Sequence, residues 1–129
     1  MTQTRFEDFF KAIKRLEESI KEFGKNTNND FVRDSVIQRF EFTFELGWKC
    51  LADFLIEKSG SIPAKAPRPV FMFAWQAGYL KEETPWNIML EDRNMMSHTY
   101  KEDVATVIAQ RVCKDHIKAL KNLSDLFQQ

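Results

Sequence analysis

The sequence predicts an all-α protein, an up-and-down bundle of about five helices in a single domain that covers residues 1–129. Three observations support this prediction. Apolar residues recur at three- and four-residue intervals over most of the chain, as on one face of an α-helix. Glycine and proline occur four times each, and most of them stand between the periodic segments. Hydrophobic residues make up 43% of the chain, which is long enough to enclose one core.

The first helix is predicted to begin at a capping box formed by Thr4 and Glu7 and to end near Gly24. The apolar residues of its buried face are Phe6, Phe9, Phe10, Ile13, Leu16, Ile20 and Phe23. Charged residues occupy the opposite face, which we interpret as a solvated surface. A short polar loop, residues 25–29, follows.

The second helix is predicted over residues 30–58, a stretch with no proline and one glycine. Alternating aromatic residues in its middle would also fit a half-buried strand. The helix explains more of the pattern, because the apolar residues fall in a sector about 120° wide when each residue advances about 100°. Gly47 lies in that sector, where a missing side chain would allow another helix to approach closely.

Phe42 and Leu46 fall on the opposite side of this helix and form a second apolar ridge. We interpret the ridge as a subunit interface, since a self-complementary patch repeats across a two-fold axis. The sequence therefore predicts a two-fold homodimer. The alternative is that a further helix of the same chain covers the ridge.

After Ser59 and Gly60 end the second helix, residues 62–69 contain three prolines and predict a connecting loop. A shorter third helix is predicted to start at Pro69 and to stop before Gly78.

Thr84 and the proline that follows it predict the N-cap and first turn of a fourth helix, which ends near Ser97. Thr99 and Glu102 form another capping box. A fifth helix is therefore predicted to run from this point towards Phe127.

The composition of the chain argues against several classes of function. The chain has 19 basic and 19 acidic residues, which argues against a broad basic surface, so we expect no stable DNA binding and only local contact with RNA. Cys50 and Cys113 lack the spacing of a disulfide framework or metal site, and we expect no metal and no cofactor. No signal peptide or membrane-length apolar run is present, so we expect a cytoplasmic protein without membrane contact.

Candidate site residues are concentrated in residues 91–100, where Arg93, Asn94, His98 and Tyr100 stand close together. The planar charge of arginine suits phosphate oxygens, and histidine can exchange protons near neutral pH. Arg93 and His98 could together cleave RNA without a metal ion. The alternative is that these polar residues only cap and salt-bridge the end of an amphipathic helix.

Arg93 and His98 are five positions apart, which is about 140° around one uninterrupted helix, so they would not share a face. If the helix ends near Ser97, His98 lies in the junction and can turn back towards Arg93. Asn94 could then orient its ring by a hydrogen bond.

Arg93, Asn94 and His98 also resemble the Arg-polar-His motif of the HEPN superfamily, the higher eukaryote and prokaryote nucleotide-binding helical domains. Together with residues 36–46, this region resembles the subfamily called nucleotidyltransferase substrate-binding proteins. The resemblance implies a dimeric helical bundle whose partner is a minimal nucleotidyltransferase, the two often acting as toxin and antitoxin. It also implies that Arg93 and His98, with Asn94 as polar neighbour, serve a metal-independent ribonuclease. Tyr100 matches a tyrosine that accepts nucleotidyl groups from the partner in some toxins.

The chain itself does not have the pattern of a nucleotidyltransferase, because no carboxylate follows Gly60 and Ser61 before Glu82. His116 is predicted to be structural or solvent-facing. Two function classes remain: a ribonuclease acting on RNA, and a non-catalytic subunit that presents a nucleotide or other substrate to the transferase or is modified by it.

Overall fold

The computed structural model describes residues 3–98 and 100–129, which form helices and no strand, as an all-α bundle requires. The elements are α1 (Gln3–Lys25), α2 (Asp30–Ser59), α3 (Pro67–Gln76), α4 (Thr84–His98), α5 (Glu102–Arg111) and α6 (Ile117–Phe127). A π-helical turn, Val112–His116, joins α5 to α6 without a break, so the predicted fifth helix is present with one wider turn inside it. No helix within these residues is both long and apolar enough to cross a membrane.

The central element is α2, which packs against α1, α3, α5 and α6. Its N-terminus is capped by Asn29, whose side chain accepts hydrogen bonds from the backbone of Phe31 at 2.9 Å and Val32 at 3.2 Å. Gly60 ends it with a φ of 87°, a conformation that glycine adopts without strain. The largest fully buried side chains around it include Phe9, Phe40, Phe44, Phe71, Leu16, Leu51, Leu55, Met89, Ile108, Leu120 and Leu123.

Gly47 lies against side chains of two other helices, α1 and α6. A Cβ atom added there would lie 3.0 Å from Cε1 of Phe9 and 3.6 Å from Cδ2 of Leu120. The close approach expected at this glycine is therefore present, and α1 and α6 make it.

Several helix boundaries differ from the predicted ones. Helix α3 begins at Pro67, two residues earlier than predicted, because first-turn N–H groups have no partner in the helix and their loss costs little. Helix α4 continues through His98. The predicted cap at Thr99 lies outside the described residues, as does the side chain of Thr4, and α5 follows Lys101 without a side-chain cap.

The predicted interface residues are covered to different degrees by the chain itself. Phe42 is 61% exposed, whereas Leu46 is half-buried and packs against the core. Phe42 also lines a shallow groove between α1 and α2. The ridge is therefore only partly covered within one chain, and Phe42 is its exposed point.

Candidate functional site

The side chain of Arg93, on α4, reaches α2 and is held there by several contacts. Its Nη1 atom donates to Oε2 of Glu45 at 2.7 Å, and its Nε atom donates to Oδ1 of Asn94 at 3.0 Å. The guanidinium carbon lies 5.6 Å from the centre of the Phe44 ring. A quarter of the side chain, 25%, remains exposed. Arg93 is thus oriented by packing and charge but stays accessible at the surface.

A second carboxylate lies near Arg93. Glu41, one turn before Glu45 on α2, is half-buried. Burial raises the pKa of Glu41, and the positive charge of Arg93 offsets this only in part. Arg93 therefore faces a partly desolvated, acidic stretch of α2.

His98 is the last residue of α4 and is exposed, and its side chain makes no hydrogen bond to any residue that the structure describes. Because α4 continues through His98, its side chain and that of Arg93 point about 140° apart. The predicted turn of His98 towards Arg93 is not found within one chain. Asn94 accepts from Arg93 instead of orienting His98, and Ser97 donates to the Arg93 carbonyl at 3.1 Å.

Tyr100 follows α4 and reaches the first turns of α2. Its hydroxyl oxygen accepts a hydrogen bond from Nη2 of Arg33 at 2.7 Å and donates one to Oδ1 of Asp34. Arg33 is only 5% exposed and also donates to Asp30 at 3.3 Å. The tyrosine side chain itself is 54% exposed. Tyr100 is therefore fixed at its oxygen while about half of the residue remains exposed to solvent.

The hydrogen bonds among Tyr100, Arg33 and Asp34 shift the pKa values of the tyrosine and the arginine. The hydrogen bond to Asp34 raises the pKa of Tyr100, burial adds to the rise, and Arg33 opposes it. Burial lowers the pKa of Arg33, but its hydrogen bonds with Tyr100 and Asp34 outweigh that and raise the pKa above its ordinary value. Near neutral pH the group thus holds a neutral phenol beside a charged guanidinium.

A second arginine and histidine have the same spacing as Arg93 and His98. Arg111 donates to both oxygens of Asp92, at 3.0 and 2.6 Å, and Nε2 of His116 lies 2.7 Å from Oδ2 of the same carboxylate. His116 is 3% exposed. These contacts give the pair a structural role, which is one of the two roles predicted for His116.

The π turn explains how both side chains reach one carboxylate. The N–H of Ile117 donates to the carbonyl of Val112, five residues earlier. Residues five apart in such a turn lie on nearly the same side of the helix, whereas in an α-helix they diverge by about 140°. Arg111 and His116 therefore converge on Asp92.

Sequence reasoning located Arg93, Asn94, His98 and Tyr100 but missed Arg33 and Asp34. These two charged residues are adjacent in the first turns of α2, and no sequence pattern connects them with a tyrosine 66 residues after Asp34. Among the described residues, no three His, Cys, Asp or Glu side chains are placed to hold a metal ion.

Residues 4–129 match the family described as nucleotidyltransferase substrate binding protein like. The chain belongs to this family. The subfamily expected from the segments around Arg93 and Phe42 is thereby confirmed. Among curated proteins, none matches the chain.

Three solved structures show how widely this fold is shared. A protein from Thermus thermophilus is 30% identical, with a TM-score of 0.72, over 88% of this chain and 99% of its own. The HI0074 protein of Haemophilus influenzae, described as having the fold of a substrate binding domain of a nucleotidyltransferase, is 20% identical, with a TM-score of 0.79, over 96% and 99%. A tri-AMPylated HEPN toxin of Shewanella oneidensis, in complex with an MNT antitoxin, is 17% identical, with a TM-score of 0.77, over 99% and 98%.

Proposed function

We propose that this family member is the HEPN-type partner of a minimal nucleotidyltransferase and the toxin of the pair, with a metal-independent ribonuclease site at Arg93 and His98. The observation that carries the proposal is the contrast between the two arginine-histidine pairs. Asp92 binds both members of the pair on the π turn, whereas His98 is exposed and its side chain has no hydrogen-bond partner among the described residues. Packing and ion pairing account for Arg111, His116 and the orientation of Arg93, but they do not account for His98.

The chemistry of RNA cleavage fits these residue types. A base must take the proton of the 2′-hydroxyl, an acid must protonate the leaving oxygen, and a cation must stabilise the charge that develops on phosphorus. His98 can exchange protons with solvent because it is exposed, and Arg93 offers a guanidinium oriented by Glu45 and Asn94.

A homodimer is part of the proposal, because Arg93 and His98 point apart within one chain, so that one site would take each residue from a different subunit. One His98 cannot act as base and acid in the same step, and a water molecule would carry the second proton. A two-fold axis near Phe42, the exposed point of the apolar ridge, would supply a second copy of both residues.

Tyr100 is the proposed acceptor of nucleotidyl groups from the partner enzyme. Its 54% exposure allows access, and a relative with the same fold is described as AMPylated and bound to its antitoxin. Tyr100 is two residues after His98 in the sequence, so its modification would add a bulky anion near that histidine and is proposed to silence the ribonuclease.

The second candidate function is that of a non-catalytic subunit, which presents a nucleotide or other substrate to the nucleotidyltransferase. It is favoured by the state of Arg93, whose charge is balanced by Glu45 at 2.7 Å. Equal numbers of acidic and basic residues, 19 of each, suit protein contacts at least as well as RNA contacts.

Expression of the chain with and without its cognate nucleotidyltransferase distinguishes the two functions. The ribonuclease proposal expects growth arrest without the partner and RNA cleavage by the purified protein in EDTA. Both should be lost in Arg93→Ala and His98→Ala. Arg68→Ala, which removes an exposed arginine whose carboxylate contact is long at 3.9 Å, should retain both. A stable complex with the partner but no arrest and no cleavage by the unmutated chain would instead favour the non-catalytic subunit.

A further inference from the structure

The hydroxyl of Tyr100 has two polar partners, and neither is needed merely to satisfy an exposed phenol. Arg33 and Asp34 both belong to α2, and each reaches the same oxygen atom. Arg33 is 5% exposed, and it also donates to Asp34 from Nε and Nη2 and to Asp30 from Nη1. The position of the phenol oxygen is thus set by a buried cation and an ionisable carboxylate.

A tyrosine needs help to act as a nucleophile near neutral pH. The ordinary pKa of the phenol is about 10, so only about a thousandth is ionised at pH 7. At this position the pKa is raised further, chiefly by the hydrogen bond to Asp34. Spontaneous ionisation is therefore suppressed, and a base in direct contact with the hydroxyl proton is required. The carboxylate of Asp34 is the group in that position.

We infer that Asp34 is the general base that activates Tyr100 for nucleotidyl transfer and that Arg33 holds the phenol oxygen in line for the reaction. This inference rests on the proposed role of Tyr100 as acceptor. It goes beyond that role by assigning the residues that make the tyrosine reactive.

The step is a substitution at phosphorus. The phenol proton passes to Oδ1 of Asp34 while the phenol oxygen attacks the α-phosphorus of a nucleoside triphosphate supplied by the partner enzyme. The bond between the α-phosphorus and the bridging oxygen breaks, and pyrophosphate leaves. Tyr100 then carries the nucleotide as an aryl phosphodiester, and Asp34 releases its proton to water. The charged guanidinium of Arg33 lies beside the new anion and is suited to bind it.

The test measures the rate at which the purified nucleotidyltransferase labels the purified chain with ATP radiolabelled at the α-phosphate. Asp34→Asn should slow labelling about 100-fold, the size of effect expected for a lost general base. Asp30→Asn is the matched control, since Asp30 contacts Arg33 but makes no hydrogen bond to Tyr100. It should change the rate by no more than roughly twofold, because the Asp30 side chain is 62% exposed and its contact with Arg33 is long at 3.3 Å. Affinity for the partner should be unchanged in both variants.

The pH profile separates a base from a structural role. Because Asp34→Asn lacks the base, its labelling rate should depend on the fraction of Tyr100 that is ionised. The ratio of this rate to that of Asp30→Asn should therefore rise about tenfold per pH unit between pH 7 and 9. Asp34→Glu, which keeps a carboxylate, should restore part of the rate, and circular dichroism checks that each variant is folded. Labelling of Asp34→Asn at the control rate, or a slow rate with an unchanged pH profile, would overturn the inference.

The failure of Tyr100 as acceptor gives a different result. If the unmutated chain is not labelled, or if Tyr100→Phe is labelled as fast as the unmutated chain, the proposed acceptor is wrong and the role of Asp34 is overturned with it. If Tyr100→Phe abolishes labelling while Asp34→Asn has no effect, only the role of Asp34 is overturned.

Discussion

At the scale of single residues, Asp92 joins the buried parts of α4 to the π turn. Its carboxylate lies 2.6 Å from Arg111 and 2.7 Å from His116, and it is 5% exposed. Such a carboxylate is costly to bury alone, but its removal leaves a buried histidine and a guanidinium without their acceptor. Asp92 thus gives Arg111 and His116 a shared partner, whereas the side chain of His98 has no hydrogen-bond partner among the described residues.

Asp92→Asn is therefore expected to lower the free energy of unfolding by about 3 kcal/mol, in the range measured for breaking buried ion pairs. Urea unfolding followed by circular dichroism measures this change. Glu91→Gln is the matched control, because Glu91 is the preceding residue, with its side chain 67% exposed, and should change stability by less than about 0.5 kcal/mol. Equal stabilities for the two variants would show that the network contributes nothing.

The same variant should show a defined pH dependence. Burial raises the pKa of Asp92, but its hydrogen bonds with His116 and Arg111 outweigh this and bring the pKa below its ordinary value. A carboxylate with a lowered pKa in the folded state stabilises the protein above its unfolded pKa, about 3.9, and loses that contribution as pH falls through the folded value. The stability difference between the unmutated chain and Asp92→Asn should thus be constant near pH 7 and shrink below about pH 4.

At the scale of the elements, α2 depends on its N-terminal cap because it carries contacts to four other helices. Asn29→Ala removes the acceptor for two backbone N–H groups and should lower the free energy of unfolding by about 1 kcal/mol. Asn28→Ala is the control, since Asn28 lies in the preceding turn and makes no side-chain hydrogen bond within the described residues. Thermal unfolding of the two variants compares them directly, and an equal loss in both would exclude a capping effect.

The elements also show what the sequence could predict. The bounds of α2 were predicted to within one residue at its C-terminus, because a long stretch without proline lies between a polar loop and Gly60. The start of α3 was missed, since two prolines fit the first turn equally well. The π turn gave no sequence signal, because its residues continue the same apolar periodicity.

The candidate site was predictable only where it is local. Arg93, His98 and Tyr100 are close in sequence, so spacing could identify them. Arg33 and Asp34 meet Tyr100 only because the chain after α4 returns to the first turns of α2. Tertiary packing, which one sequence does not display, creates this contact.

At the scale of the whole molecule, the exposed side chain of Phe42 is the basis for predicting a two-fold homodimer. If the ridge with Leu46 forms a two-fold interface, Phe42→Glu places two like charges in an apolar contact and should convert a dimer to a monomer. Sedimentation velocity at micromolar concentration measures this. Phe31→Glu is the control, since Phe31 is 89% exposed and lies at the far N-terminal end of α2. A monomeric unmutated chain would contradict the predicted dimer.

The dimer should also be the catalytic unit, because Arg93 and His98 point about 140° apart within one chain. If a site combines Arg93 of one subunit with His98 of the other, a heterodimer of Arg93→Ala and His98→Ala chains keeps one intact site of two. Such heterodimers, isolated through two different affinity tags, should recover about half of the ribonuclease activity that both parent homodimers lack. A heterodimer of Arg93→Ala with the double variant, which holds no intact site, should stay inactive. Absence of activity in the first heterodimer, alongside an active unmutated dimer, would mean that each chain needs both of its own residues and would require His98 to leave the end of α4 during catalysis.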